Sequence, residues 1–223
     1  MNDPSLLADF SGTVRLFPLP NLVLFPHVMQ PLHIFEPRYR EMTADALESD
    51  RYIAMVLPKS GWEKDYAGKP AIHAVACLGR IMAEQPLDDG RYNILLRGLA
   101  RIRLEDEILS EKMYRIANAE ILDETEFADD GWRQSLADRT PSWFDGQAEV
   151  VSQFRKLLES ELSLSALCDI ISFALPLDAE FKQMLLEELN VEARLTTLRD
   201  FMDAQQNLAK VIQRKFPPEF SNN

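Results

Sequence analysis

The chain has 223 residues, 46% of them apolar and 27% charged. That is an ordinary globular mix, long enough to bury roughly 70% of the surface an unfolded chain exposes, and it excludes collagen, a disordered tail and a disulfide scaffold. The 24 basic and 36 acidic residues give a formal net charge of -12, which disfavours general nucleic-acid binding and attachment to an anionic membrane, since both need clustered Lys and Arg.

The amino terminus, Met1–Asp9, lacks the basic region and apolar run of a signal peptide. No stretch approaches the 18 or so apolar residues of a membrane span. A soluble, cytoplasmic protein is the expectation.

Val14–Phe17 and Leu22–Phe25 read as short strands separated by Pro18, Pro20 and Asn21. Prolines donate no backbone hydrogen bond and sit at strand ends or sheet edges. Five prolines fall between residues 18 and 37, a density that suits the rim of a barrel. Leu32–Phe35 is another short strand. A helix follows over Pro37–Glu48, with proline at its first position, where the missing N–H costs nothing.

Tyr52–Leu57 is a nearly continuous apolar strand. Pro58–Pro70 is a polar loop holding Trp62 and Tyr66. Those two aromatics either anchor a partner or fold back as a lid on the domain's own core. Ile72–Glu84 and Tyr92–Leu104 are long strands joined by the turn Asp88-Asp89-Gly90. Gly79 and Gly98 inside them suggest bulges or bends, as in a small closed or half-closed barrel. Tyr114–Leu122 is the last strand.

Asp123–Asp130 carries five acidic residues in eight. Beyond it the apolar period becomes helical. One helix carries Phe144, Val151, Phe154, Leu157 and Leu158. A second carries Leu164, Leu167, Cys168, Ile171 and Leu175, stopped by Pro176. Asp178 caps a third and Asn190 a fourth. Residues 1–122 hold 14 basic against 17 acidic residues, a balance of -3, whereas 123–223 hold 10 against 19, a balance of -9. The expected fold class is therefore α+β: a β-rich unit with one helix over 1–122, an acidic linker over 123–143, a helical bundle over 144–216 and a frayed tail over 217–223.

Chemistry-bearing motifs are sparse. There is no phosphate-cradling Gly-rich loop, no G-x-S-x-G elbow and no H-E-x-x-H. His27, His33 and His73 are not paired at metal-ligand spacing. No catalytic residue, metal site or cofactor is expected. His33 with Glu36 is the sharpest local pair, either orienting an acid–base group or, as the leading reading, a half-buried histidine with Glu36 at a helix start. Cys77 and Cys168 sit among apolar neighbours, as buried free thiols, with a disulfide between them as the alternative.

The segment Leu16-Phe17-Pro18-Leu19-Pro20-Asn21-Leu22-Val23-Leu24-Phe25-Pro26, followed by Pro31–Tyr39, resembles the opening of the amino-terminal domain of Lon proteases. Gly79-Arg80-Ile81 and Leu96–Arg101 look like two later strand motifs of that domain. Leu167–Ser172, Lys182–Glu187 and Leu189–Leu195 look like its helix motifs. The resemblance runs from about residue 13 to 213. It implies a PUA-like β-barrel with one helix, followed by an α-helical bundle. It also implies a role in substrate capture, without the ATPase and serine–lysine protease domains, which this sequence does not contain.

The leading expectation is thus a stand-alone, non-catalytic module that binds unfolded or hydrophobic polypeptide or a partner protein. Its candidate contacts are Phe25, Met29 and Phe35 near the proline-rich rim, and Trp62 and Tyr66 in the loop. The alternative is a small hydrolase or ligand-binding enzyme using a crevice between barrel and bundle. An RNA-binding reading rests on Arg97, Arg101 and Arg103, whose common face a bend at Gly98 would break. The sequence does not set the oligomeric state.

Overall fold

The computed structural model describes residues 4–65, 68–125, 131–140, 143 and 148–215. Phe144, Tyr66, the tail 217–223 and residues 126–130 of the acidic stretch lie outside them.

Contacts divide the chain into two compact units. The first comprises residues 1–124 with 169–189, the second 125–168 with 190–223. All the strands lie in the first unit, and 169–189 groups with them and not with 125–168 and 190–223.

The first unit is built on six strands: β1 (Thr13–Pro18), β2 (Met29–Ile34), β3 (Tyr52–Val56), β4 (Val75–Pro86), β5 (Tyr92–Ile108) and β6 (Arg115–Ile121). Their order is β2-β5-β4-β3-β1-β6, and β5 also pairs with β6. The pairings β1–β3–β4–β5–β6–β1 therefore form a closed circuit. All are antiparallel except β1 with β3. β5 is 17 residues long and serves two roles. Its second half, from Ile102, pairs with β6, while Tyr92–Arg97 pairs with β2. Together with the end of β4, this first half forms a three-stranded arm.

Alternate residues of each strand fill the circuit. Val14 and Leu16, Tyr52, Ala54 and Val56, Ala76 and Leu78, and Ala117 and Ala119 form one buried cluster with Leu99 and Ile102. Leu6, Leu7 and Phe10 pack against it, and the Phe10 ring meets Tyr52 edge-on at 5.7 Å.

The expected irregularity at the two glycines is present. Leu78 pairs with Ala100 but Gly79 with Gly98, so Leu99 is an extra residue in β5. A Cβ on Gly98 would overlap the Phe25 carbonyl oxygen and lie 2.8 Å from the carbonyl carbon.

Leu22–Phe25, expected as a strand, has no ladder partner. Left-handed Asn21 (φ 66°) and His27 (φ 68°) bracket it, and Pro20 and Pro26 remove donors. The segment is a buried plug in which Val23, Leu24 and Phe25 have lost solvent contact. It is tied to β5 by the His27 N–H donating to the Gly98 carbonyl at 2.9 Å.

Helix α1 (Pro37–Leu47) starts as expected, with proline in its first turn and Glu36 preceding it. Tyr39, Met42, Thr43 and Ala46 form its buried side.

Four helices, α3 (Ala148–Leu158), α4 (Leu164–Ala174), α5 (Ala179–Glu187) and α6 (Val191–Lys215), match the expected periodicity. Asp178 caps α5, its carboxylate accepting from the Phe181 N–H at 2.8 Å. Asn190 accepts from the Ala193 N–H at 3.0 Å.

The stretch 123–143, expected as linker, contains a further helix, α2 (Trp132–Arg139). Only Leu136 on it is buried, so it carries almost no apolar period. Side-chain tethers within the second unit fix it instead. Arg133 donates to the carbonyls of Leu158 (3.2 Å), Ser160 (2.9 Å) and Leu162. Arg139 binds Asp203 through two hydrogen bonds, 2.7 and 3.0 Å.

Candidate protein-binding surface

The arm is where apolar side chains meet water. β2 pairs with β5 alone, in the register Met29↔Arg97 through Ile34↔Tyr92. Its other edge has no strand partner among the described residues. Met29, Pro31 and His33, with Phe35 just beyond the strand, are all exposed, whereas Ile34 is buried. Strand parity explains the split. On the opposite face Ile34, Ile94, Leu96 and Ile81 are buried and hold the strand rigid.

Met29 is 43% and Phe35 59% exposed. At about 3.3 Å per residue they stand roughly 20 Å apart along the strand. The His33 ring stacks on Phe35, with centroids 6.2 Å apart. His33 Nδ1 lies 2.7 Å from Asn93 Oδ1 and Nε2 lies 3.3 Å from Arg91 Nη1. A proton on Nδ1 satisfies both partners. Glu36 instead takes Arg38, with Nη2 at 2.9 Å from its carboxylate. The His33–Glu36 pair does not form, and with it goes the sharpest support for an acid–base site.

The free edge of β2 is poor at adding another strand. Pro31 supplies no N–H there, and the Gln30 side-chain amide donates to the Pro31 carbonyl at 2.7 Å. A partner would meet side chains here, not a backbone ladder.

The other candidates are placed differently. Phe25 has 0% exposure; it is a core residue and offers no surface, because the plug folds beneath Gly98. Trp62 is half-buried in a 3-10 turn, Trp62–Asp65, with no buried residue of its own. Tyr66 lies outside the described residues. Cys77 and Cys168 are free and buried, so the alternative disulfide is not formed. Burial pushes the Cys77 thiol far up, which makes it inert.

The three arginines of the RNA reading separate. Arg101 is buried, held by Asp169, Glu124 and the Leu186 carbonyl. Arg103 is exposed and paired with Glu120. Arg97 alone remains on the arm. Beside it, burial above all, with a smaller effect from the Arg97 charge, holds the His27 imidazole below its ordinary value.

A concavity not foreseen from sequence has a volume of about 280 Å³. Pro18, Tyr39, Pro58, Pro70, Ile108 and Met113 supply its apolar lining. Its charged rim is internally neutralised. Lys112 reaches Asp45 at 2.7 Å and Glu41 at 3.6 Å, and Arg115 pairs with Glu107. Burial and the Asp45 carboxylate push the Tyr114 hydroxyl up to about 12. Among the described residues no group of three or more His, Cys, Asp or Glu side chains is placed to hold a metal ion. No helix among them is long and apolar enough to cross a membrane.

A family model described as the ATP-dependent protease La (LON) substrate-binding domain matches residues 13–204. The Lon protease of Desulfosudis oleivorans is 24% identical over 202 residues, covering 89% of this chain and 25% of that protein. The Lon protease of Anaeromyxobacter dehalogenans is 23% identical over 220 residues, 96% of this chain and 26% of its own length. The chain thus spans about a quarter of the curated relatives it matches. Among solved structures, the N-terminal domain of Mycobacterium avium complex Lon protease shares the fold with a TM-score of 0.69 at 15% identity. That match covers 86% of this chain and 98% of the other. A Lon N-terminal domain protein from Xanthomonas campestris gives a TM-score of 0.58 at 22% identity, over 83% and 96%. The chain belongs to the ATP-dependent protease La (LON) substrate-binding domain family.

Proposed function

We propose that this chain is a non-catalytic module that captures apolar segments of unfolded polypeptide through the exposed face of β2. One observation carries the reading: Met29, Pro31, His33 and Phe35 form a continuous exposed row on a strand whose other face is locked into the core. Large apolar side chains held rigidly in water lose little entropy when a partner covers them. They also supply the desolvation that drives association. Family membership supports the same reading, since the part of Lon that matches is the substrate-binding domain. The dissolution of the His33–Glu36 pair favours binding over hydrolysis. Trp62, half-exposed in its loop, is an accessory contact in this reading, and the module acts in the cytoplasm.

Photo-crosslinking tests it. Benzoylphenylalanine in place of Phe35 should crosslink a reduced, carboxymethylated polypeptide. The same probe in place of Met184, an exposed residue of α5, should not. Equal labelling at both positions would contradict the assignment.

A further inference from the structure

We infer that the arm selects polypeptide segments that combine apolar side chains with carboxylates. The inference rests on the polypeptide-binding reading and adds a chemical class to it. The row that begins at Met29 continues across the arm. Met29 stands opposite Arg97 of β5, and Arg97 stands opposite Arg80 of β4. Directly opposed side chains share a face, and like charges opposed in this way destabilise a sheet. Acids normally relieve such a pair, and the chain carries 36 of them.

Here the one carboxylate of β4, Glu84, pairs with Arg51. Among the described residues no carboxylate lies within ion-pair distance of Arg97 or Arg80. Arg80 rests over the Tyr52 ring, 5.6 Å from its centroid, which fixes the guanidinium without neutralising it. Both arginines are half-exposed. Folding therefore leaves two adjacent positive charges beside Met29, on a molecule that is strongly acidic overall. Strands lie about 4.8 Å apart, so the charges sit within roughly 10 Å of the apolar row. Because Met29 and Arg97 share a face, the alternate side chains on one side of an extended segment reach both, an apolar one on the row and a carboxylate two residues on at Arg97. Nucleic acid fits less well: two cations are too few to hold a phosphate chain against a net charge of -12.

The test uses the full chain and fluorescence anisotropy. The probes are a labelled decapeptide whose Phe, Leu and Glu residues occupy alternate positions on one face with Ser between them, its Gln counterpart, its Lys counterpart and a labelled oligouridine. The Glu peptide should bind about fivefold tighter than the Gln peptide at low salt, as expected for one or two exposed charge pairs. The advantage should vanish in Arg97→Gln, persist in Arg97→Lys and fade at high salt. Arg97→Gln should weaken binding of the Glu peptide more than binding of the Gln peptide. Equal affinity for Glu and Gln peptides, or a preference that survives Arg97→Gln, overturns the inference while leaving polypeptide binding intact. Oligouridine binding as tight as the Glu peptide overturns it in favour of a nucleic-acid surface. Absence of binding by every peptide overturns the underlying reading as well.

Discussion

Nη2 of Arg101 lies 2.6 Å from Oδ1 of Asp169, and neither side chain retains more than 1% of its solvent exposure. The guanidinium is also within 2.9 Å of the second Asp169 oxygen, 2.7 Å of Glu124 and 2.9 Å of the Leu186 carbonyl. This fork ties Asp169 and the end of α5 to β5, and explains why 169–189 groups with the strands.

Removing Asp169 leaves the buried Arg101 guanidinium with only the partly exposed Glu124 as its counter-charge. Asp169→Ala should lower the stability of the chain by about 3–5 kcal/mol, read from urea denaturation. The double change Arg101→Met/Asp169→Leu should recover much of the loss, since it removes both charges and Glu124 can turn to solvent. A double variant no better than Asp169→Ala alone would show that the hydrogen bond to Leu186 dominates.

Gly98 has a different vulnerability. A methyl group there meets the backbone of Phe25 and lies 3.1 Å from the Cys77 sulfur, and backbone cannot step aside. Gly98→Ala should cost about 3 kcal/mol or more. At Gly79 a methyl meets only the Leu96 side chain, at 2.8 Å, which can change rotamer. Gly79→Ala should be the milder change. Thermal melts of the two variants check the order.

The fold was legible where local rules decide. Pro37 marked the start of α1, Asp178 the start of α5, and the alternation in Tyr92–Leu96 the strand that carries the arm. Leu22–Phe25 misled because a buried plug and a buried strand have the same apolar composition, and only the partner of each N–H distinguishes them. α2 was invisible because polar tethers from Arg133 and Arg139 hold it, not an apolar stripe. The candidate surface was half legible. Phe25 and Phe35 are the same residue type in similar proline-flanked contexts, yet one is core and the other surface. The run Leu32-His33-Ile34-Phe35 has apolar residues on both parities, so its exposed face emerges only from pairing with β5. The arginine row depends on the bulge at Leu99, which Gly98 signals, but the register that sets Arg97 opposite Arg80 emerges only from the pairing of β5 with β4.

Acid should loosen the α1 region first. Hydrogen bonds from Lys112 and then Tyr114 hold the Asp45 carboxyl below its ordinary value. Arg115 does the same for Glu107. A carboxylate with a lowered folded value stabilises above its unfolded value, about 4. That contribution is lost as pH falls through the folded value. The melting temperature should therefore decline below about pH 4, and Asp45→Asn should flatten part of the decline. Equal acid sensitivity in the variant would assign the loss to other groups.

The most direct measurement is the affinity of a reduced, carboxymethylated polypeptide for wild type and for Met29→Ser/Phe35→Ser, with melting temperatures in parallel. Both side chains are exposed, so the melting temperature should hardly change. Each contact is of the kind that contributes more than about 1 kcal/mol to an interface. Binding should therefore weaken about tenfold or more while the fold stays intact. Unchanged affinity in the folded double variant would contradict capture of polypeptide at β2.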